Sequence, residues 1–312
     1  MSKKTVSVII PTKNEEQVIH ECLSFVFTQS LKPLEVIIVD GRSTDDTLKK
    51  AQQFPVKIIT EKEPASLPNA RNLGIENAKG EVILFMDADV ILDKNCIENA
   101  VKWFEDTNII AVIPCEKSLA HTRLEKIEIY WLRGTANPIR SGIGIPSFVE
   151  FFRQIVFKKV KFDSNLGYGE DMDFQKRLKM VCKGDGKIIY SDDSTISIHH
   201  PHTFKELRSQ YTWYGRTFKT YFSRDSSIQT ILNLGSLLTP TILIILGIFT
   251  LFFVQALPFL LLFFALLAAR NLIACYRSKS RFFVEFIAFE FIRSIFFVVG
   301  LTQGLFSKEK GK

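Results

Sequence analysis

The chain has 312 residues, 46% of them hydrophobic, and a net charge of +7. This length allows one sizeable globular domain with a further segment. A basic balance can indicate nucleic acid, but no zinc-ligand spacing, Arg/Gly-rich segment or aromatic RNA-binding pattern accompanies it, which excludes nucleic acid as the expected partner. Because the C-terminal part is strongly apolar, a membrane surface explains the basic charge better. The five scattered cysteines indicate reduced thiols.

The first part of the sequence alternates short apolar runs with helical patterns. Strands are predicted at residues 6–10, 36–39, 56–59, 82–86 and 109–113, with helices around 18–26, 68–78 and 94–104. Ser43 is the predicted N-cap of a further helix after the strand at 36–39, and Asp93 is the predicted N-cap of the helix that ends at 104. Strands and helices alternating at this length predict an α/β domain with a mostly parallel, Rossmann-like sheet.

The next stretch is less regular. Glycine and proline interrupt residues 115–150, which indicates loops around a site, with a short helix predicted at 124–132. Glu170 and Asp171 open a further predicted helix, and short strands are predicted at 187–190 and 195–198. We expect this domain to comprise residues 1–203 and, because no signal-peptide pattern precedes it, to lie in the cytoplasm.

The C-terminal part has the composition of a membrane region. An amphipathic, aromatic and basic helix is predicted within 204–228, at the membrane interface. Residues 229–306 form the predicted membrane region. Its segments 234–255 and 256–275 each approach the roughly 20 residues that cross a bilayer, so they predict a multi-pass helical hairpin. The basic residues after this hairpin place that end in the cytoplasm.

A third apolar segment, residues 282–306, contains Glu285, Glu290 and Arg293. Charged side chains inside a spanning helix are costly. The sequence therefore favours an in-plane or re-entrant helix over a third span, and both remain open. The basic tail, residues 307–312, also disfavours a third span, because it would then lie outside.

Two carboxylates, Asp87 and Asp89, directly follow the buried strand at 82–86. In an extended segment, this spacing places both side chains on one face. Ligands of open α/β sheets bind beyond the carboxyl ends of the strands. Two hard oxygen ligands at such a place suit Mg²⁺ or Mn²⁺ carrying a diphosphate. The pattern therefore predicts a nucleotide-linked donor.

Several motifs occur in a fixed order along the chain. They are Val8-Ile9-Ile10-Pro11-Thr12-Lys13-Asn14-Glu15-Glu16, Val39-Asp40-Gly41-Arg42-Ser43-Thr44-Asp45-Asp46-Thr47, Asn69-Ala70-Arg71-Asn72-Leu73-Gly74, Met86-Asp87-Ala88-Asp89 and Gly169-Glu170-Asp171-Met172-Asp173-Phe174 with Arg177-Leu178. Over residues 5–215 the chain resembles a family 2 glycosyltransferase with the GT-A nucleotide-sugar fold.

The resemblance implies roles for the donor side of the site. Asp40 would contact the base or ribose of a uridine or guanosine nucleotide, and Pro11 and Asn14 would lie beside it in the loop after the first strand. Arg71 would lie near the donor diphosphate or sugar. Asp87 would face the ribose or donor sugar. Each of these roles has an alternative. Pro11 and Asn14 could serve only the turn, Asp40 could be a turn aspartate, and Arg71 could lie at the surface of its helix.

For the metal and the acceptor, the resemblance implies a second set of residues. Asp89 would bind the divalent cation. Asp171, in the Glu170-Asp171 pair, would be the general base that takes the proton of an acceptor hydroxyl, and one displacement would invert the anomeric configuration; a helix-cap pair is the alternative. One histidine of 199–202 would approach the metal. Only one of His199 and His200 would do so, because they would point to opposite sides of a strand, and His200 is the candidate; a solvated loop is the alternative.

Residues 210–216 are similar to the Gln-Xaa-Xaa-Arg-Trp motif of processive relatives but depart from it, since Trp213 takes the arginine position and Arg216 comes later. Assignment to processive synthesis does not follow. Trp213 and Arg216 are candidate acceptor contacts, with Trp213 stacking on a sugar or anchoring the interface.

The sequence thus predicts a membrane-anchored, metal-dependent, inverting glycosyltransferase. Its donor would be UDP- or GDP-linked, and its acceptor a lipid-linked or other membrane-borne glycan. Polyprenyl-phosphate glycosyl synthesis, of the dolichol-phosphate mannose type, is the alternative enzyme class; the sequence after Asp89 and the Glu170-Asp171 pair count against it. A non-catalytic membrane scaffold that retains the fold is the remaining alternative.

Overall fold

The computed structural model describes residues 4–62, 65–117, 120–135, 149–167, 169–182, 186–201, 203–224 and 228–306. Contacts divide the chain into two compact units. Within the described residues, the first unit contains 4–117, 149–165 and 169–199, and the second contains 120–135, 166–167 and 200–306. The predicted domain boundaries at 203, 228 and 306 stay predictions, and the basic tail 307–312 lies outside the described residues.

Eight strands form one mixed sheet in the described part of the first unit. They are β1 (Val6–Thr12), β2 (Glu35–Asp40), β3 (Lys57–Thr60), β4 (Val82–Phe85), β5 (Val90–Leu92), β6 (Ile109–Glu116), β7 (Glu150–Arg153) and β8 (Lys187–Ile198). Their order across the sheet is β3-β2-β1-β4-β7-β6-β8-β5. The β3-β2-β1-β4 half is parallel, as predicted, whereas β7 and β5 run antiparallel to their neighbours.

The described helices are α1 (Ile19–Phe27), α2 (Thr47–Ala51), α3 (Leu67–Asn77), α4 (Cys96–Trp103), α5 (Arg123–Thr135), α6 (Glu170–Cys182), α7 (Phe204–Arg224), α8 (Ile228–Thr250), α9 (Leu257–Ser278) and α10 (Phe283–Phe306). Helices α5 and α7 to α10 belong to the second unit, and the other five belong to the first. Short 3₁₀ segments occur at Gln154–Lys158 and Val254–Ala256.

The core of the first unit lies on both faces of the sheet. All seven residues of β1 are buried, which is typical of a parallel strand that is covered by helices on both sides. Val8 and Ile10 pack into one apolar layer with α1 and α4, whereas Ile9 packs into the other with α3 and α6. Alternate residues of one strand therefore hold the two helix layers in place.

Two predicted helix caps are wrong. Helix α2 begins after Asp46, and the Ser43 hydroxyl instead accepts a hydrogen bond from the backbone N–H of Asn14 at 2.9 Å. Helix α4 begins after Asn95, and the carboxylate of Asp93 instead accepts a hydrogen bond from the Thr195 hydroxyl. In both places a side chain that could cap a helix stabilises a loop contact distant in sequence.

The second unit is a helical assembly. Helix α10 packs along α7, and α5 packs on α9. A Cβ atom at Gly215 would overlap the carbonyl oxygen of Phe297, and one at Gly300 would overlap that of Thr212. The α7 and α10 backbones therefore approach closely because both positions lack a side chain.

The charged side chains of α10 are paired inside this unit. The Glu290 carboxylate accepts a hydrogen bond from the indole N–H of Trp131 at 2.8 Å and forms an ion pair with Arg270. The Arg293 guanidinium lies 3.9 Å from the centre of the Trp131 ring. Of the described helices, α9 alone is long and apolar enough to cross a membrane by length and composition. The apolar part of α8, Leu237–Thr250, is shorter.

Candidate active site

Acidic residues converge at the carboxyl edge of the parallel strands. Strands β1 and β2 pair in parallel with Thr12 opposite Asp40, and β1 and β4 pair with Ile9 opposite Phe85. Parallel strands end at the same edge, so Asp40 and the segment after β4, with Asp87 and Asp89, share that edge. This is the edge at which open α/β sheets bind ligands.

Arg71 connects this edge to the start of α6. Its guanidinium Nη1 lies 2.6 Å from Oε1 of Glu170, and its Nη2 lies 3.6 Å from Oδ1 of Asp87. Arg71 is 1% exposed and stacks over the Phe162 ring at 5.4 Å. The alternative interpretation of Arg71 as a surface helix residue is therefore wrong.

The carboxylates repel one another. Burial raises the pKa of Asp87, and the charge of Asp171 adds to the rise while Arg71 opposes it. Burial, then the charges of Asp87 and Glu15, hold the pKa of Asp89 well above its usual range. Each ionised carboxylate makes the next harder to ionise. The site thus concentrates negative charge that a cation would neutralise.

Glu15 belongs to the first of the ordered motifs, residues 8–16, but no role was predicted for it. Burial raises the pKa of Glu15 to about 7, with further contributions from Asp87 and Asp45. Its backbone N–H donates to the Thr47 hydroxyl at 2.8 Å. The signal that could have identified Glu15 is its position just after β1, at the same sheet edge as Asp40 and Asp87.

The two members of the Glu170-Asp171 pair have different surroundings. Gly169 takes a left-handed conformation (φ 79°) immediately before α6, which glycine adopts without a steric cost. Glu170 is 5% exposed and engaged by Arg71, whereas Asp171 is half-buried. Burial raises the pKa of Glu170 to about 7; Arg71 opposes the rise and Asp171 adds to it. Asp171 is thus the more accessible carboxylate of the pair.

Three residues of the predicted donor side occupy the ends of β1 and β2. Pro11 lies inside β1 and is buried opposite Val39, so its predicted place in the following loop is wrong. Asn14 has a positive φ of 58°, and its side-chain oxygen accepts from the backbone N–H of Thr44 at 2.8 Å. The Asp40 carboxylate accepts backbone hydrogen bonds at its own turn, from Arg42 at 3.1 Å and from Ser43.

The predicted histidine lies in the second unit. Strand β8 ends at Ile198, so His199 and His200 follow the strand, and the prediction that they lie on it is wrong. His200 is 8% exposed, with Nδ1 3.9 Å from Oε2 of the buried Glu128. His199, in the first unit, lies 3.2 Å from Glu21. A metal role for His200 stays a prediction.

Trp213 and Arg216 lie on one face of α7. Trp213 is 38% exposed, and the Arg216 Nη2 donates to Oε1 of Gln303 on α10 at 2.8 Å. Both side chains line a groove of about 410 Å³ in the second unit. Their predicted contact with an acceptor stays a prediction.

Within the described ranges, no group of three or more His, Cys, Asp or Glu side chains is arranged to hold a metal ion. The residues that fit best are Asp89 and Asp87, because carboxylate oxygens suit Mn²⁺ and Mg²⁺ and their mutual repulsion favours a bound cation. Mg²⁺ commonly binds through one or two carboxylates and takes its other ligands from substrate phosphates and water.

Residues 7–160 match the family described as Glycosyl transferase family 2. The glycosyltransferase GlyG of Streptococcus pneumoniae is 29% identical over 113 residues, which cover 35% of this chain and 38% of GlyG. A dolichol-phosphate mannosyltransferase of Pyrococcus furiosus is 34% identical over 113 residues, covering 34% of this chain and 32% of that protein. The chain thus spans well under half the length of either relative.

The likeness to solved structures covers more of the chain. The mannosyltransferase PcManGT from Pyrobaculum calidifontis, solved in complex with GDP-Man and Mn²⁺, matches 99% of this chain and 89% of its own with a TM-score of 0.60. The sequence identity is 20%. At this identity the comparison shows a shared fold, and the predicted GT-A fold is confirmed.

Proposed function

We propose that the protein transfers a sugar from a nucleotide-sugar donor to a hydroxyl of a lipid-linked or membrane-borne glycan. The match of residues 7–160 to Glycosyl transferase family 2 supports this proposal. The observation that carries the proposal is that buried Arg71 pairs with both Asp87 and Glu170, which brings the Asp87–Asp89 segment to the start of α6. This arrangement puts acid–base and cation-binding groups at one sheet edge.

The donor is a UDP- or GDP-linked sugar, and its nucleotide lies over the ends of β1 and β2. Asp40 accepts from a base N–H or a ribose hydroxyl; a carboxylate has about four acceptor positions, and backbone N–H groups take only some of them. Pro11 and Asn14 shape the floor beside it. The complex of PcManGT with GDP-Man supports a donor of this kind.

Asp89, assisted by Asp87, holds Mn²⁺ or Mg²⁺ in this proposal, and His200 is a further candidate ligand. When bound, the cation neutralises the charge that develops on the departing nucleoside diphosphate. The accumulated negative charge of Glu15, Asp87 and Asp89 supports such a site. Several related structures also contain Mn²⁺.

Asp171 is the general base. Because the Glu170 carboxylate is held by Arg71, Asp171 is the carboxylate that can accept a proton from the attacking hydroxyl. A base contributes typically 10²- to 10⁴-fold to such a step. The hydroxyl oxygen attacks the anomeric carbon opposite the leaving diphosphate, and this single displacement inverts the configuration.

The protein is anchored at a membrane as a multi-pass protein with its first unit on the cytoplasmic face. The length and composition of α9, whose apolar side chains are largely exposed, support the anchoring. The amphipathic α7 supports an interfacial helix, because Leu207 and Tyr211 are buried while Lys205 and Arg208 are exposed.

Transfer to a bare polyprenyl phosphate is the second candidate. The similarity to a dolichol-phosphate mannosyltransferase favours it. A phosphate acceptor is already anionic and needs no base to remove a proton, so this reaction would not depend on Asp171 in the same way.

The test is sugar transfer in purified membranes with radiolabelled UDP- and GDP-sugars, Mn²⁺ or Mg²⁺, and a lipid extract as acceptor. Asp171→Asn is compared with Asp173→Asn, a matched change two residues away in the same helix, where the carboxylate pairs with Arg177. Transfer that needs the metal, survives D173N and disappears in D171N supports the proposal. Transfer to polyprenyl phosphate that survives D171N would select the second candidate, and no transfer with any donor would refute both.

A further inference from the structure

One face of α7 carries a basic stripe. Lys205, Arg208, Ser209, Thr212, Trp213 and Arg216 line one groove. Their separations of three, four, seven, eight and eleven residues keep them on the same side of a helix. The opposite face, with Leu207, Tyr211 and Phe218, is buried. The stripe is therefore the solvent-facing side of a helix whose orientation is fixed by its packing.

The charge of this groove is not compensated within the described chain. No carboxylate lines the groove. Arg216 donates to the neutral Gln303, and neither Lys205 nor Arg208 forms an ion pair with a described residue. Three cations thus lie within about 16 Å along the helix, at 1.5 Å per residue. Such a concentration of like charge favours a multiply charged anion.

The groove also has the other features of a phosphate-binding site. The Ser209 hydroxyl and the guanidinium forks of Arg208 and Arg216 are donors that suit phosphate oxygens. Trp213, 38% exposed, offers an aromatic wall beside them. The groove is open to solvent, and its volume of about 410 Å³ lies in the range of small-ligand sites.

We propose that this groove binds the diphosphate of a polyprenyl-linked acceptor, with the sugar nearest the diphosphate packed on Trp213. A diphosphate matches three cations better than the single charge of an ordinary phospholipid headgroup. The exposed apolar side chains of α9 in the same unit, among them Phe259, Leu262 and Leu266, argue that the ligand comes from a bilayer. The inference rests on the proposed function, because it defines the acceptor of that reaction.

The experiment measures ligand binding to the full chain in detergent, without donor. The probes are geranylgeranyl diphosphate, inorganic pyrophosphate and phosphatidylglycerol. We expect the prenyl diphosphate to bind most tightly. Lys205→Gln and Arg208→Gln should each weaken it about tenfold or more, because each removes a charge-assisted hydrogen bond. Lys219→Gln, which removes an exposed cation of α7 outside the groove, should leave the affinity unchanged.

Three binding results would each overturn the inference. Equal binding of inorganic pyrophosphate would indicate a soluble anion, equal binding of phosphatidylglycerol would indicate a general headgroup site, and unchanged binding in both variants would place the ligand elsewhere. Unfolding temperatures of the variants, whose altered side chains are exposed, should match the wild type. Binding without any sugar transfer would refute the proposed function alone. Transfer with an unchanged acceptor KM in R208Q would refute only this inference.

Discussion

Arg71 and Glu170, which are 99 residues apart in the sequence, form a buried ion pair with 2.6 Å between Nη1 and Oε1. Their side chains are 2% and 6% exposed. The same guanidinium lies 3.6 Å from Asp87. One cation therefore holds the start of α6, with Asp171, beside the acidic segment that follows β4.

Removal of one partner of this pair should destabilise the fold. Glu170→Ala removes the nearer of the two carboxylates that face the buried Arg71 guanidinium and leaves only Asp87, at 3.6 Å. Breaking a buried ion pair typically costs about 3–5 kcal/mol. The double change Arg71→Met, Glu170→Leu replaces both charges by apolar groups and should recover most of the loss while the protein stays inactive. Denaturant unfolding of the purified full-length variants measures both effects.

The exposed pair between Lys161 and Glu76 is the matched control. Its atoms lie 3.0 Å apart, but the side chains are 57% and 56% exposed. Exposed pairs contribute about 0–1 kcal/mol, so Lys161→Ala should change stability little. A double mutant at Arg71 and Glu170 that is as unstable as E170A would contradict the explanation by a broken buried ion pair.

Metal binding should depend on pH and on Asp89. Burial and neighbouring carboxylates hold the pKa of Asp89 well above its usual range, and a carboxylate binds a cation in its deprotonated form. Mn²⁺ should therefore bind more tightly as pH rises, and it should raise the unfolding temperature; a concentration of 100 times Kd adds about 2.7 kcal/mol.

Asp89→Asn should abolish this stabilisation. Asp46→Asn is the control, because Asp46 is an acidic residue of the first unit with 59% exposure. Thermal unfolding with and without Mn²⁺, together with a titration of free Mn²⁺ by electron paramagnetic resonance, measures the effect. An undiminished shift in D89N would show that the ion binds elsewhere.

Glu15 should lower the stability of the metal-free protein at high pH. Its pKa is about 7 in the folded protein against 4.5 ordinarily. Between these values the folded state binds more protons than the unfolded state, so stability is full below about pH 4.5 and declines as pH rises through 7. Glu15→Gln cannot ionise, so it should be more stable than the wild type at pH 8 and similar near pH 4.5.

Thermal unfolding in the presence of a chelator, across this pH range, tests the expectation. The exposed Glu105→Gln serves as the control and should follow the wild-type curve. A pH profile of E15Q that runs parallel to the wild type would mean that Glu15 does not carry the effect.

The local parts of the fold and site were predictable, because a strand or helix shows its own periodicity. The strand positions of β1 to β4 and the acidic residues after β4 follow from apolar runs and their ends. Strands β5 and β7 were missed because pairing with strands distant in the sequence decides their state. The two short strands predicted at 187–190 and 195–198 form one strand, β8.

The spacing of residues along the sequence could not predict contacts between side chains that are distant in the chain. Nothing in the local sequence of α3 indicates that Arg71 faces a glutamate 99 residues later. For the same reason, Glu290 and Arg293 were interpreted as charges that a spanning helix avoids. In the structure Glu290 pairs with Arg270 and Trp131 inside the helical unit. Pairing of this kind lowers the cost of burying a charge. The number of charged residues in α10 therefore does not by itself predict how the helix is placed.

The close approach of α7 and α10 gives a last prediction, for Gly300→Ala. A Cβ at Gly300 would overlap the Thr212 carbonyl oxygen, so the helices must separate, and overpacking typically costs 1–3 kcal/mol or more against rigid backbone. Gly247→Ala on α8 is the control, because a Cβ there meets nothing within 4 Å. It should stabilise the protein by up to about 1 kcal/mol through helix propensity. Thermal unfolding in detergent compares the two, and equal effects would show that α7 and α10 do not pack this closely.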